Sequence, residues 1–192
     1  MIGLTLVTAP TVEPLTVDEA RRTLRVDLSD EDGEIADLIT AARVLVEERT
    51  RRRCLTQTWD YAIDSFPVRR EPLIVPYGPL QSVTSVTVYD ESDVASVWSS
   101  ANYVVDTRMA PGRLMLTASA SWPRSTRRQV AGVVRFVCGH GLTRDTVPMP
   151  VRQAMKVALL ALYERRAMTM DEERAVEALV SPWTVSSLVG SA

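Results

Sequence analysis

The spacing of apolar residues in this 192-residue chain changes twice, and that double change constrains the fold more than any single motif. Up to about residue 53 the apolar positions recur every three or four residues, as on one face of a helix. From Leu55 they alternate, as in a half-buried strand, and after Pro148 helical spacing returns. The pattern predicts an α+β protein: a small helical bundle body with an inserted antiparallel β-sandwich or open barrel. The boundaries fall at 1–53 for an N-terminal helical part, 54–147 for the β-rich insert, 148–181 for a C-terminal helical part, and 182–192 for an extended tail.

The first helical part is legible from its ends. Thr16 with Glu19 forms a capping box, which starts a helix at about Val17 with Val17, Ala20 and Leu24 on one face. That helix should stop near Val26. Ser29 is expected to cap a second helix, with Asp30, Glu31 and Asp32 against the positive end of its dipole. Its stripe is Ile35, Leu38, Ile39, Ala42, Leu45 and Val46. Arg49, Arg51, Arg52 and Arg53 follow at its C-terminal end, where cations complement the dipole.

The middle of the chain reads as about six short strands. Leu55, Trp59, Tyr61 and Ile63 alternate with Thr56, Thr58, Asp60 and Asp64. Pro67, Pro72, Pro76 and Pro79 enclose the run Leu73 to Val75, and Val83, Val86, Val88 and Tyr89 mark another strand. Tyr103 to Val105, Leu114 to Leu116 and Val130 to Val137 complete the set, separated by turn signals.

Pro150 suits the first turn of the next helix because its missing N–H costs nothing there. Val151, Ala154, Met155, Ala158 and Leu162 make one apolar stripe, and Val157, Leu160 and Ala161 a second. A helix apolar around most of its circumference needs cover on two sides, from the β insert or from a neighbouring subunit. Thr169 with Glu172 is a second capping box, opening a last helix through Ala175, Val176 and Leu179 that Pro182 ends. The tail SPWTVSSLVGSA is uncharged and apolar at Trp183, Val185, Leu188 and Val189. Such a segment folds back over its own helices or docks on a partner.

Charge narrows the function. The net charge is −2, and it is spread evenly: residues 1–53 carry 8 basic and 11 acidic side chains, 54–147 carry 9 and 8, and 148–192 carry 5 and 5. No segment is the basic module that gripping nucleic acid requires. No run of about 18 apolar residues suggests a membrane span, and the start MIGLTLVTAPTVEP lacks the basic region of a secretory signal. Cys54 and Cys138 make no disulfide framework and suit a reducing cytoplasm. Catalytic groups are scarce. The one histidine, His140, stands two residues from Cys138 in CGHG, half of a metal site at most, and the turn-forming Gly139 and Gly141 give it a structural reading. The expectation is no catalytic residue, no metal site and no cofactor.

Several stretches in fixed order carry a family resemblance: MIGLTLVTAPTVEPLTVDEARRTLRVD, DEDGEIADLITAARVLVEERTRR, LTQTWDYAIDSFP, PLIVPYGPLQSVTSVTVYD, NYVVDT and VRFVCGHGLTRDTVPMPVRQAMKVALLALYERR. Together they resemble the head-tail connector, or adaptor, proteins of long-tailed phages, in the branch with a β-rich insert that also occurs in prophages and gene transfer agents. The likeness runs from about Leu4 to Arg166; His140 stands where members commonly carry an aromatic. It implies a structural, non-enzymatic subunit at the neck of a virion or phage-like particle, made in the bacterial cytoplasm. Its implied partners are copies of itself in a usually dodecameric ring, a portal protein, a stopper or tail-terminator protein, and passing double-stranded DNA, with no membrane. On this resemblance Trp183, Val185, Leu188 and Val189 are the portal-binding tail, and Val157, Leu160 and Ala161 the subunit interface. Asp30, Glu31 and Asp32, with Arg124, Arg127 and Arg128 of the SWPRSTRRQ loop, are candidates for lumen or DNA-proximal positions. The competing readings are a cytoplasmic protein-interaction or tail-completion module and, more weakly, a metal-dependent enzyme using Cys138 and His140.

Overall fold

The computed structural model describes residues 3–27, 29–124, 129–165 and 167–185. The fold is α+β, in two compact units: a sheet unit of residues 1–9 and 56–139, and a helical unit of residues 10–55 and 140–192.

Among the described residues the sheet unit holds eight strands: β1 (Gly3–Thr8), β2 (Gln57–Ile63), β3 (Leu73–Ile74), β4 (Leu80–Tyr89), β5 (Ala95–Val97), β6 (Tyr103–Asp106), β7 (Arg113–Leu116) and β8 (Gly132–Cys138). They form a five-stranded antiparallel sheet in the order β1-β2-β8-β4-β5 and a three-stranded one in the order β3-β7-β6. Strand β8 sits at the centre and alternates strictly. Val134, Phe136 and Cys138 are fully buried, whereas Arg135 faces out and clasps Asp60 of β2, its register partner, with two bonds of 2.7 and 2.8 Å. The inward residues of both sheets share one core, with Ile63, Val75, Val86, Tyr103, Leu114 and Phe136 in it. The result is a sandwich of two antiparallel sheets.

Two features of this unit were not expected from sequence. The leader supplies β1, so the division at residue 53 gives way to one in which the first residues pair with β2, Leu4 opposite Tyr61 and Leu6 opposite Trp59. The other is the loop chemistry beside the small sheet. The Arg70 guanidinium donates to the carbonyls of Leu116, Thr117, Ala118 and Ala120, and Trp122 Nε1 donates to the Glu71 carbonyl at 2.9 Å. Backbone carbonyls at the end of β7 and in the loops beside it are thereby satisfied.

The helical unit contains α1 (Val17–Leu24), α2 (Asp32–Thr50), α3 (Met149–Tyr163) and α4 (Met170–Val180). Both capping boxes form as read from sequence. Ser29 does not cap α2. It opens a short 3-10 turn, Ser29–Glu31, and Glu31 takes the N-cap position without a capping side-chain bond. Helix α1 packs on α2 and α3, and α3 also meets α2 and α4. Ile35, Ile39, Ala42 and Val46 of α2 meet Val151, Ala154, Met155, Ala158 and Leu159 of α3 in one core. Glu19 works twice: it completes the α1 capping box and binds Arg152 of α3 at 2.7 Å. Burial pushes its carboxyl up, but the Thr16 N–H and the Arg152 charge outweigh that and hold it below its ordinary value.

Beneath the end of α2 lies a buried charge cluster. Arg51 takes a left-handed conformation, with φ of 54°, and turns the chain so that Arg53 folds inward rather than pointing off the helix end. Arg53 is 1% exposed and bonds Glu47 at 3.4 Å and Glu48 at 2.9 Å. Glu47, equally buried, also accepts from Arg43 at 3.1 Å and from the Cys54 backbone N–H at 2.8 Å. Arg43 reaches on to Glu13 with two bonds of 2.8 and 3.2 Å. Three carboxylates, Glu13, Glu47 and Glu48, thus face the two buried guanidiniums, and Glu47 is shared by both.

Two substitutions test these cores separately. Phe136→Ala should lower the unfolding free energy by about 3–5 kcal/mol, as expected for emptying a fully buried aromatic site. Glu47→Ala should cost about 3–5 kcal/mol, because it removes the one carboxylate that two buried cations share. Chemical denaturation of the purified variants measures both.

Candidate assembly site

The C-terminal residues that are described lie on the helical unit itself. After α4, a 3-10 turn over Ser181–Trp183 brings the chain back to the end of α2, where the Val185 N–H donates to the Thr50 carbonyl at 3.0 Å. Val185 is buried and Trp183 half-buried against the helical core. Trp183 meets the His140 ring edge-on, with centroids 5.8 Å apart, and the two line a tight cleft with Thr50, Arg52, Cys54 and Val151. Burial, together with the nearby Arg52 charge, lowers the His140 pKa to about 4. The ring is therefore neutral at pH 7. Burial and the Glu47 charge raise the Cys54 thiol well above its ordinary value, so it is an unreactive thiol rather than a nucleophile.

Of the four residues read as a portal-binding tail, Trp183 and Val185 thus anchor the segment to its own subunit. Leu188 and Val189 lie outside the described residues.

The second apolar stripe of α3 divides in the same way. Ala161 is 1% exposed, so it has no surface to offer a neighbour. Val157 and Leu160 are half-exposed, with Val157 also touching the helical core. More prominent apolar surface lies elsewhere on the same unit, at Val12, Leu142 and Met149, which are 46%, 72% and 58% exposed. Val12 and Leu142 flank a groove of about 550 Å3 that Leu15, Val17 and Arg144 also line. Sequence spacing did not single these out, because Val12 and Leu142 sit in irregular connections and Met149 is the first residue of α3.

The acidic start of α2 is partly engaged. Glu31 accepts from the Tyr163 hydroxyl at 2.7 Å, and that bond raises the tyrosine pKa. Asp32 lies 3.4 Å from Arg21, and Glu34 pairs with Arg165 at 3.3 Å. Asp30 is exposed. Of the basic loop, Arg124 is exposed on the sheet unit, while Arg127 and Arg128 lie outside the described residues. Cys138 closes β8 in the sheet unit and His140 belongs to the helical unit, and both cysteines are free and buried. Among the described residues no three His, Cys, Asp or Glu side chains cluster with metal-binding geometry, and no helix is long and apolar enough to cross a membrane. What the chain presents is a set of exposed apolar and charged surfaces on two rigid cores, an arrangement suited to contact with other proteins.

The fold recurs, end to end, in solved particle chains. A chain in the virion of a native gene transfer agent particle matches with a TM-score of 0.81 at 24% identity, over 98% of each chain. A chain in the neck of an empty particle, computed with C6 symmetry, matches at 0.80 and 23%, again over 98% of each. A chain in the neck of the native particle, computed with C12 symmetry, matches at 0.80 and 22% with the same coverage. No protein-family model and no curated protein matches the chain.

The half-buried neutral imidazole has a measurable consequence. An unfolded chain protonates His140 near the ordinary value of 6.5, whereas the folded chain resists protonation down to about 4. Stability linked to this residue is therefore full above pH 6.5 and is lost as pH falls through 4. Denaturation midpoints of the wild type should fall more steeply than those of His140→Gln over this interval; parallel curves would contradict the assignment.

Proposed function

We propose that this chain is a head-tail connector subunit, assembled as a ring at the neck of a tailed phage or phage-like gene transfer particle. The observation that carries the reading is the full-length likeness to particle and neck chains, 98% of each chain at TM-scores of 0.80 to 0.81. The ordered sequence resemblance to connector proteins supports it independently. In this role the subunit is structural and performs no catalysis. It is made in the bacterial cytoplasm and functions in the particle neck, between the portal on one side and a stopper or tail terminator on the other. The neck neighbours were computed with six- and twelve-fold symmetry, and a twelve-subunit ring is the proposed state. Such a ring is built from one heterologous contact repeated until it closes.

The near-neutral charge suits a conduit. A duplex that must slide past a wall is hindered by a dense basic lining, since each neutralised phosphate adds to attachment. The exposed Asp30 and the partly engaged Glu31 and Asp32 are proposed to face the DNA path, with Arg124, Arg127 and Arg128 near it. Val157 and Leu160 are proposed for the contact between subunits. For the portal, Leu188 and Val189 are the proposed contact, held at a fixed origin by Trp183 and Val185.

Electron microscopy of the purified chain mixed with portal tests the reading. Rings seated on the portal are expected, and a monomer that ignores the portal would overturn it. Deleting residues 186–192 leaves the Trp183 and Val185 anchor in place. It should abolish portal binding without shifting the thermal midpoint, and unchanged binding would remove the tail assignment.

A further inference from the structure

The sheet unit carries two complementary surfaces at the same end of its large sheet. One is a groove of about 560 Å3 between the loop after β2 and the segment preceding β8. Its floor is Phe66 and the buried Trp122, whose rings stack at 6.1 Å, with Pro67 and Pro123 beside them. Arg69 and Arg124 stand exposed among its lining residues, next to Val68, which is 69% exposed. Arg70, adjacent in sequence, is committed to four carbonyls and fixes the loop that presents Arg69.

The other surface is the tip of the hairpin between β4 and β5, the sequence Asp90-Glu91-Ser92-Asp93, every residue of it exposed. The tip is held in shape. Asp90 Oδ1 accepts from the Ser92 and Val94 N–H groups at 2.8 and 2.9 Å, and Asp93 adopts φ of 63°. Val94 and Val97 beside it are 59% and 73% exposed. Acidic groups with an apolar flank thus match a basic groove with an aromatic floor.

Register places the two surfaces on different flanks. Gly132 of β8 pairs with Ile63 of β2 on one side and with Val88 of β4 on the other. The groove follows β2 and the tip follows β4. Strand spacing of about 4.8 Å separates β2 from β5 by roughly 14 Å along the sheet. A contact that joins the tip of one copy to the groove of the next is heterologous by construction, and the joined pair still has one free tip and one free groove.

We infer that the groove rimmed by Arg69 and Arg124 receives the acidic β4–β5 tip of a neighbouring copy of this chain. The inference rests on the ring reading above and assigns it a contact. DNA is the less favoured occupant, because residues 54–147 carry 9 basic against 8 acidic side chains and lack the basic excess of a phosphate-binding surface.

Charge reversal with mixing tests it on the full-length chain. Arg69→Glu with Arg124→Glu makes both surfaces acidic, and Glu91→Arg with Asp93→Arg, which leaves Asp90 as the one acid of the tip against two cations, gives the tip the sign of the groove. Each double variant alone should need at least about tenfold more protein for assembly, since like charges then meet at every contact. An equimolar mixture should regain rings, because the acidic groove of one accepts the basic tip of the other. Analytical ultracentrifugation reads the masses, and circular dichroism checks that each variant is folded. Variants that assemble like the wild type would overturn the contact and leave the ring reading standing. A wild type that forms no ring with or without portal would overturn both. Loss of binding to a labelled DNA duplex in Arg69→Glu with Arg124→Glu, at unchanged ring mass, would assign the groove to DNA and overturn the proposal.

Discussion

A single buried carboxylate, Glu47, governs how the helical unit is put together. It faces two guanidiniums, Arg43 and Arg53, and takes the Cys54 N–H as well, so it ties the last turns of α2 to the chain that leaves the helix. Burying these charges is costly, and mutual attraction with full hydrogen bonding offsets that cost only in a fixed geometry. Burial by itself disfavours the charged Arg43, yet Glu13 and Glu47 outweigh it and raise its pKa. The geometry fixes the path of residues 51–55 and, through the Thr50 carbonyl, the point where Val185 returns. The cluster also reaches Glu13, so the segment entering α1 is tied to α2 by the same network.

Local signals in the sequence carried the helices well. The capping boxes at Thr16 and Thr169 involve residues three apart, and such bonds form wherever the chain turns into a helix. The α2 and α3 stripes were equally legible, since Ile35, Ile39, Ala42, Val46, Val151, Ala154, Met155 and Ala158 all reach the core. Strand alternation located most of the sandwich for the same reason. Ser29 misled because three acids after it imitate a capped first turn, whereas the backbone opens with a 3-10 turn.

Long-range features were hidden. The leader strand β1 depends on an edge of β2 more than fifty residues away, and its own residues are mostly exposed, so burial leaves little pattern in it. Arg53 looked like a helix-end cation, and its inward turn depends on the left-handed Arg51. The pairing of Arg43 with Glu47 was visible as a four-residue spacing, yet surface pairs share that spacing, and sequence does not tell a buried pair from an exposed one. The tail was ambiguous for a related reason: an apolar segment looks the same whether its cover comes from its own subunit or from a partner.

The surfaces left over after both cores are packed include exposed apolar residues of the kind that proteins bury against one another. Apolar residues at Val12, Leu142, Val94 and Val97 remain in solvent, while the histidine is half-buried and both cysteines are buried. The central claim is that identical copies repeat one contact until it closes into a ring. Native mass spectrometry of the purified protein over a range of concentrations tests that claim directly. A closed ring predicts one discrete high mass, a fixed multiple of the 21.3 kDa subunit, that does not grow with concentration. A chain that stays at one subunit even when portal is added, or a ladder that lengthens as concentration rises, would contradict it.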